Sequence, residues 1–159
     1  MELETQRPPY EAYAAITATF AGLLGGAGLL GRALGRDPQC QTALDLVVLA
    51  AATFKSARTL ARDEVTSFLR QPFVRGRAHT GEGEEPERGG MQQAIGELVT
   101  CTRCSGTWAA ALLASTQILA PRFGRLLTWS LGAAACNDFL QGAFAALTAK
   151  ANQLEEAPS

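Results

Sequence analysis

AYAAITATFAGLLGGAGLLG, residues Ala12 to Gly31, runs for twenty positions without a charged side chain. A helix needs about 20 apolar residues to cross the hydrocarbon core of a bilayer. A water-exposed helix of that length brings charges back to its wet face every three or four positions, and here none returns. The leader before it holds Glu2, Glu4 and Glu11 against Arg7 alone. That is the wrong charge for the n-region of a cleaved signal peptide, so the segment reads as a retained transmembrane helix.

Three further stretches are depleted of charge. Pro38 to Phe54 carries only Asp45, Cys104 to Pro121 carries none, and Leu126 to Ala149 carries only Asp138. The competing reading is a soluble bundle whose core helices are rich in alanine and glycine. Against it, the first and third stretches show no charged face. Their polar residues, Thr17, Thr19, Ser115, Thr116 and Gln117, are of the kind that bond along or across helices inside a bilayer. The expected fold is all-α: a four-helix transmembrane bundle forming a single membrane domain, with a cytoplasmic interfacial helix and loop. The helices are placed at about 12–31, 39–70, 104–121 and 125–150 and a flexible linker at about 76–90, from uncharged span length.

Composition fits this reading. The 159 residues are 47% hydrophobic and 18% charged, with 14 basic and 15 acidic side chains and a formal charge of −1. That balance excludes a general nucleic-acid binder, which needs a basic footprint to displace counterions. The length allows one core. Mean hydropathy is only +0.05, because apolar spans are averaged with one polar insert, Lys55 to Arg103, that holds eight of the fourteen basic residues. If all four stretches span, one side carries Arg7, Lys55, Arg58, Arg62, Arg70, Arg75, Arg77, Arg88, Arg103 and Lys150. The other carries Arg32, Arg36, Arg122 and Arg125. Lysine and arginine resist translocation, so both termini and the insert are expected in the cytoplasm.

Within the insert, KSARTLARDEVTSFLR (Lys55 to Arg70) keeps a helical pattern. Phe54, Ala57, Ala61, Val65 and Phe68 form one stripe and Lys55, Arg58 and Arg62 a neighbouring one, suited to anionic headgroups at about 1 kcal/mol per basic residue. Gln71-Pro72-Phe73 ends the helix, since proline lacks an amide proton and disfavours helical geometry in the residue before it. The linker holds His79, Glu82, Glu84, Glu85 and Glu87, read as solvated side chains because a metal site needs several converging ligands. Cys101 and Cys104 then stand at i and i+3, where two sulfurs can share a metal or close a disulfide, at a helix start that together with Arg103 favours thiolate. Trp108 is placed at the membrane boundary.

The residues from Leu44 to Phe73, followed by GELVTCTRCSGTW (Gly96 to Trp108) and two further apolar segments, resemble the bacterial domain of unknown function 1360 family. Its members are small membrane proteins with an arginine-bearing helix, an Asp-x-x-Thr-x-x-x-Arg-x-Pro-Phe signature and a later Cys-x-x-Cys followed by tryptophan. The first signature falls on Asp63, Thr66, Arg70, Pro72 and Phe73, the second on Cys101, Cys104, Gly106 and Trp108. Arg58 matches the preceding arginine, with Arg62 the other candidate. The resemblance covers about residues 42 to 148 and implies a membrane fold in the bacterial cell membrane, without an activity.

The chemistry stays open between a few uses. The cysteine pair can bind zinc or another thiophilic metal, act in thiol redox chemistry, or pack a turn with small polarizable side chains. Asp63 shares a helical face with Thr59 and Thr66, one turn before Arg70. It is read as structural, pairing with an arginine such as Arg103 or capping a turn, because no nucleophile, base and orienter combine. Inside the membrane, Asp138 beside Asn137 is the candidate polar site, since a charge at depth is kept where it has a partner or a water path. Asp45 lies at a helix start, where a carboxylate is stabilising. Gly22 with Gly26 and Gly31 with Gly35 permit close helix approach. The function expected is an accessory or scaffold protein without a cofactor, whose partners are the lipid bilayer and other membrane proteins or a second copy. The alternative is a redox or metal-binding membrane protein using Cys101 and Cys104.

Overall fold

The computed structural model describes residues 8–36, 41–76 and 84–156. Their architecture is all-α apart from one two-residue ladder. The elements in order are α1 (Tyr10–Ala33), α2 (Ala43–Arg62), α3 (Ser67–Arg70), β1 (Val74–Arg75), β2 (Glu85–Pro86), α4 (Gly90–Thr100), α5 (Thr102–Leu119) and α6 (Pro121–Glu156). Arg7, Cys40, Arg77, His79 and Glu82 lie outside the described residues.

Local chemistry sets the helix ends. At the end of α1, Gly35 adopts φ +63. Its N–H donates to the Arg32 carbonyl at 3.0 Å and the Arg36 N–H to the Gly31 carbonyl at 2.9 Å. This is a Schellman closure, which needs a left-handed residue. The second helix opens on a reciprocal box. The Asp45 N–H donates to Thr42 Oγ1 at 3.2 Å, and the Thr42 N–H donates to Asp45 Oδ2 at 3.0 Å. Pro121 starts α6, where its missing N–H costs nothing.

Side-chain pairs fix the direction of each helix. Phe20 meets Trp108 edge-on at 5.1 Å, and a Cβ on Gly31 would lie 2.8 Å from Ile118 Cγ2, so α1 and α5 run parallel. A Cβ on Gly132 would meet Val48 Cγ1 at 3.1 Å, and Lys55 reaches Asp138, so α2 and α6 run parallel. Gly106 faces Ala57, which sets α2 antiparallel to α5. The α5–α6 corner is tight: a Cβ on Gly124 would lie 2.5 Å from the Gln117 backbone nitrogen. There Gln117 Nε2 donates to Thr128 Oγ1 at 2.9 Å, and the Thr128 hydroxyl passes its proton to the Gly124 carbonyl at 2.8 Å.

The residues between the helices are small. Ala52, Ala57, Ala61, Ala94 and Ala135 are buried, whereas Leu23, Leu29, Leu46, Val47, Leu112, Leu126, Phe139 and Leu140 face outward. Gly22 and Gly26 have open space where a side chain would stand, so they bring no helix of the described residues close. Gly31 does make a close approach, and Gly35 lies beyond the helix as its cap.

Several expectations are corrected here. Among the described residues one helix, Tyr10–Ala33, is by length and composition long and apolar enough to cross a membrane. The other long helices, expected above as spans, carry charges within them: Asp45, Lys55, Arg58 and Arg62 in α2, Arg103 in α5, and Arg122, Arg125, Asp138 and Lys150 in α6. The helix expected over 39–70 stops at Arg62, because Asp63 turns extended with ψ 141. Within the stretch expected as a flexible linker, β2 pairs with β1 in register Val74 with Pro86 and Arg75 with Glu85. This ladder lies on α4, where the Phe73 carbonyl and Pro86 occupy the space a Gly96 side chain would need.

Gly96→Ala is therefore expected to cost about 1–3 kcal/mol through overpacking against backbone. Gly22→Ala, with open space around it, should gain about 0.5–1 kcal/mol from helix propensity. Thermal unfolding followed by circular dichroism checks the opposite signs.

Candidate functional site

The residues of the first signature converge on one buried cation. Arg70 is 0% exposed. Its Nε and Nη2 donate to the two carboxylate oxygens of Glu84 at 2.9 and 3.0 Å. Its Nη1 donates to the Leu60 carbonyl at 2.7 Å, the Asp63 carbonyl at 3.0 Å and Thr66 Oγ1 at 2.8 Å. The Glu84 side chain is 3% exposed. Burying an unpaired charge is prohibitive, but a planar fork matched to a carboxylate, with its remaining protons on carbonyls, meets the condition under which a buried pair is tolerated.

This arrangement also explains the helix break. The Leu60 carbonyl, which a continuing helix would give to the amide of residue 64, accepts from Arg70 Nη1, and the Asp63 carbonyl takes Arg70 Nη1 beside the Thr66 N–H. Asp63 contributes its carbonyl and the turn. The expected partnership between its carboxylate and Arg103 does not form, because α2 ends facing Thr66 and Arg70. Glu84, expected in a solvated acidic run, is buried, and Glu87 pairs with Arg75 at 2.6 Å. With its fork on a buried carboxylate and Nη1 on the carbonyls that end α2, Arg70 makes this cluster a clamp between two parts of the chain.

The cysteine pair lies one element further on. Cys101 caps α5, its sulfur accepting the Cys104 N–H at 3.4 Å, and its carbonyl accepts the Ser105 hydroxyl at 2.9 Å. The Cys104 thiol beside it, the Cys104 N–H and the nearby Arg103 together hold the Cys101 thiol below its ordinary pKa. Both thiols are free. Among the described residues no group of three or more His, Cys, Asp or Glu side chains is placed to hold a metal ion.

The other expected residues are dispersed. Gly106 lets α5 approach Ala57, and Trp108 packs on Phe20. Asp45 serves as a cap. Asp138 meets Lys55 Nζ at 2.7 Å, one turn from Arg58, beside a stacked Phe54–Phe139 pair at 5.3 Å. It thus sits level with Lys55 and Arg58 of α2. Asn137 is exposed. Sequence reasoning missed two residues of weight. Glu84 is one of four similar glutamates, and Glu97 accepts from the Tyr13 hydroxyl and, at 2.9 Å, from Gln93 Nε2, joining α1 to α4.

Arg70→Met should cost about 3–5 kcal/mol, because it strands a buried carboxylate. Arg70→Met combined with Glu84→Leu should cost clearly less than the sum of the single changes, a coupling read by denaturant unfolding. For the thiols, alkylation of Cys101 by iodoacetamide should reach its half-maximal rate below the pH of an ordinary thiol. The midpoint should move upward in Cys104→Ala, as followed by peptide mass mapping.

Comparison with known proteins places these residues. A family model for proteins of unknown function, DUF1360, matches residues 48–144. The sporulation protein YjcA of Bacillus subtilis (strain 168) is 30% identical over 95 residues, covering 53% of this chain and 76% of that protein. No solved structure matches. The match takes in both signatures, from the end of α2 through the buried arginine to the cysteine-capped helix, and the chain belongs to the DUF1360 family.

Proposed function

We propose that the chain is a small multi-pass protein of the bacterial cell membrane, with both termini and the segment from α3 to α4 in the cytoplasm. It acts there as an accessory or scaffold protein through helix–helix association. The observation that carries this reading is the inversion of the core: Ala52, Ala57, Ala61 and Ala135 are buried between the helices, while large apolar side chains on all four long helices, Leu23, Val47, Leu112, Leu126 and Phe144 among them, face outward. In water each such side chain forgoes about 1.5–3 kcal/mol of burial. In lipid it meets a matching solvent, and helices associate through small residues.

Two further features support it. Hydroxyls on these helices bond to carbonyls of their own turn: Thr17 to Tyr13, Thr19 to Ala15, Ser56 to Ala52 and Thr116 to Leu112. The alternating helix directions put the start of α1, the end of α2 and the start of α5 at one end, where most of the basic residues are. Arg32, Arg36, Arg122 and Arg125 gather at the other end, as the positive-inside rule requires. Lys55 inside α2 and Asp138 inside α6 then cover each other by pairing.

The surface for association is the last part of α6. At 36 residues this helix is about 54 Å long, well beyond the roughly 30 Å hydrocarbon core. Leu140, Phe144, Leu147 and Leu154 are exposed along it at spacings of a coiled-coil seam. Sporulation, for which the Bacillus relative is named, is the process in which to seek the partner.

Full-length protein is expected to stay in the membrane pellet through an alkaline carbonate wash and to need detergent for release. Recovery in the aqueous supernatant contradicts the reading. Metal analysis addresses the alternative: the purified protein is expected to be free of zinc, whereas about one thiophilic metal per chain, lost in Cys101→Ser/Cys104→Ser, would make it a metal protein.

A further inference from the structure

Between α2 and α5 runs a groove of about 570 Å³. Leu46, Phe54 and Ala110 are among its apolar walls, and Arg58 and Arg103 stand at one end of it. Both arginines are exposed, and neither is held by a carboxylate among the described residues. Their neighbours differ: Lys55, Arg70 and Arg75 each meet an acid. Thr53 lines the same groove, and its hydroxyl oxygen is buried without a hydrogen-bond partner. Ser56, three residues on, satisfies itself on the Ala52 carbonyl at 2.8 Å. A buried hydroxyl without a partner is rare in a folded protein.

We propose that this groove binds an anionic phospholipid of the cytoplasmic leaflet. Arg58 and Arg103 hold the phosphodiester, with the first turn of α5 adding the positive end of its dipole. Thr53 lies five residues back along α2, about 7.5 Å deeper. That is the side of the phosphate on which a glycerol ester carbonyl sits, and the Thr53 hydroxyl donates to it. An acyl chain follows the apolar floor toward Leu46, a further seven residues, or about 10 Å, along the helix. The two uncompensated guanidinium groups select an anionic headgroup over a zwitterionic one, whose own cation they repel. The inference rests on the membrane reading above.

The test is native mass spectrometry of the full chain in detergent, titrated with phosphatidylglycerol or with phosphatidylcholine of the same acyl chains. Phosphatidylglycerol should be retained about thirtyfold more strongly, in line with two basic side chains at the interface. Arg58→Gln/Arg103→Gln should erase the preference, Thr53→Val should weaken retention of both lipids, and Arg32→Gln/Arg122→Gln at the opposite end should change nothing. Inorganic phosphate at millimolar concentration should not displace the lipid. Equal retention of the two lipids, an unchanged preference in the Arg58/Arg103 variant, loss in the Arg32/Arg122 variant, or displacement by phosphate overturns the proposal. A chain that needs no detergent fails the membrane reading and takes this inference with it. A chain that needs detergent and does not discriminate the lipids overturns this inference alone.

Discussion

Close approach of helices through alanine and glycine is the constraint from which the rest of this structure follows. Ala52, Ala57 and Ala61 on α2 and Ala135 on α6 are the buried faces, and Gly106 and Gly132 allow α5 and α6 to come against α2. Small residues leave little apolar area to remove from water, so burial between the helices stabilises them weakly. What they provide is proximity, which lets dispersion and short polar contacts act between backbones. The corollary is that leucine, valine and phenylalanine are displaced to the outside. The identity of the surrounding solvent therefore decides whether this arrangement is stable.

A second, local constraint orders the segment between α2 and α5. Arg70 has to be satisfied completely because it is completely buried, and the groups that satisfy it come from three places in the chain. The carbonyls of the last turn of α2 end that helix, Thr66 supplies the turn, and Glu84 ties back the far end of the connection. Once Glu84 is fixed, β2 can pair with β1, and the ladder seats on Gly96 of α4. Glu97, next in sequence, then reaches Tyr13 of α1. One buried cation thus connects the basic end of the bundle to a compact polar cap.

The sequence made some of this legible. Charge-free length located α1 and the bodies of α5 and α6, while α2, expected from about residue 39, begins at Ala43 behind a Thr42–Asp45 capping box that went unread. The signature drew attention to Asp63, Thr66 and Arg70, but hydrophobic periodicity continued through Asp63 and hid the break. The break depends on which carbonyls a distant side chain takes, and periodicity carries no trace of that. Glu84 was indistinguishable from Glu82, Glu85 and Glu87 for the same reason, since its role depends on a contact across fourteen residues. Asp138 was legible as a charge needing a partner, and Lys55 was not legible as that partner, because the register of α2 against α6 is set by Gly132 and Val48.

The proposed membrane location requires that the outward-facing apolar side chains be solvated by lipid. Spin labels placed one at a time at Leu23, Val47, Leu112 and Leu126, each exposed on a different long helix, test it in the protein reconstituted into bilayers. Electron paramagnetic resonance power saturation then compares collisions with molecular oxygen, which concentrates in lipid, and with a water-soluble nickel chelate. The account predicts that oxygen dominates at all four positions and the chelate dominates at Leu154. Chelate-dominated collisions at Leu23, Val47, Leu112 and Leu126 would contradict it.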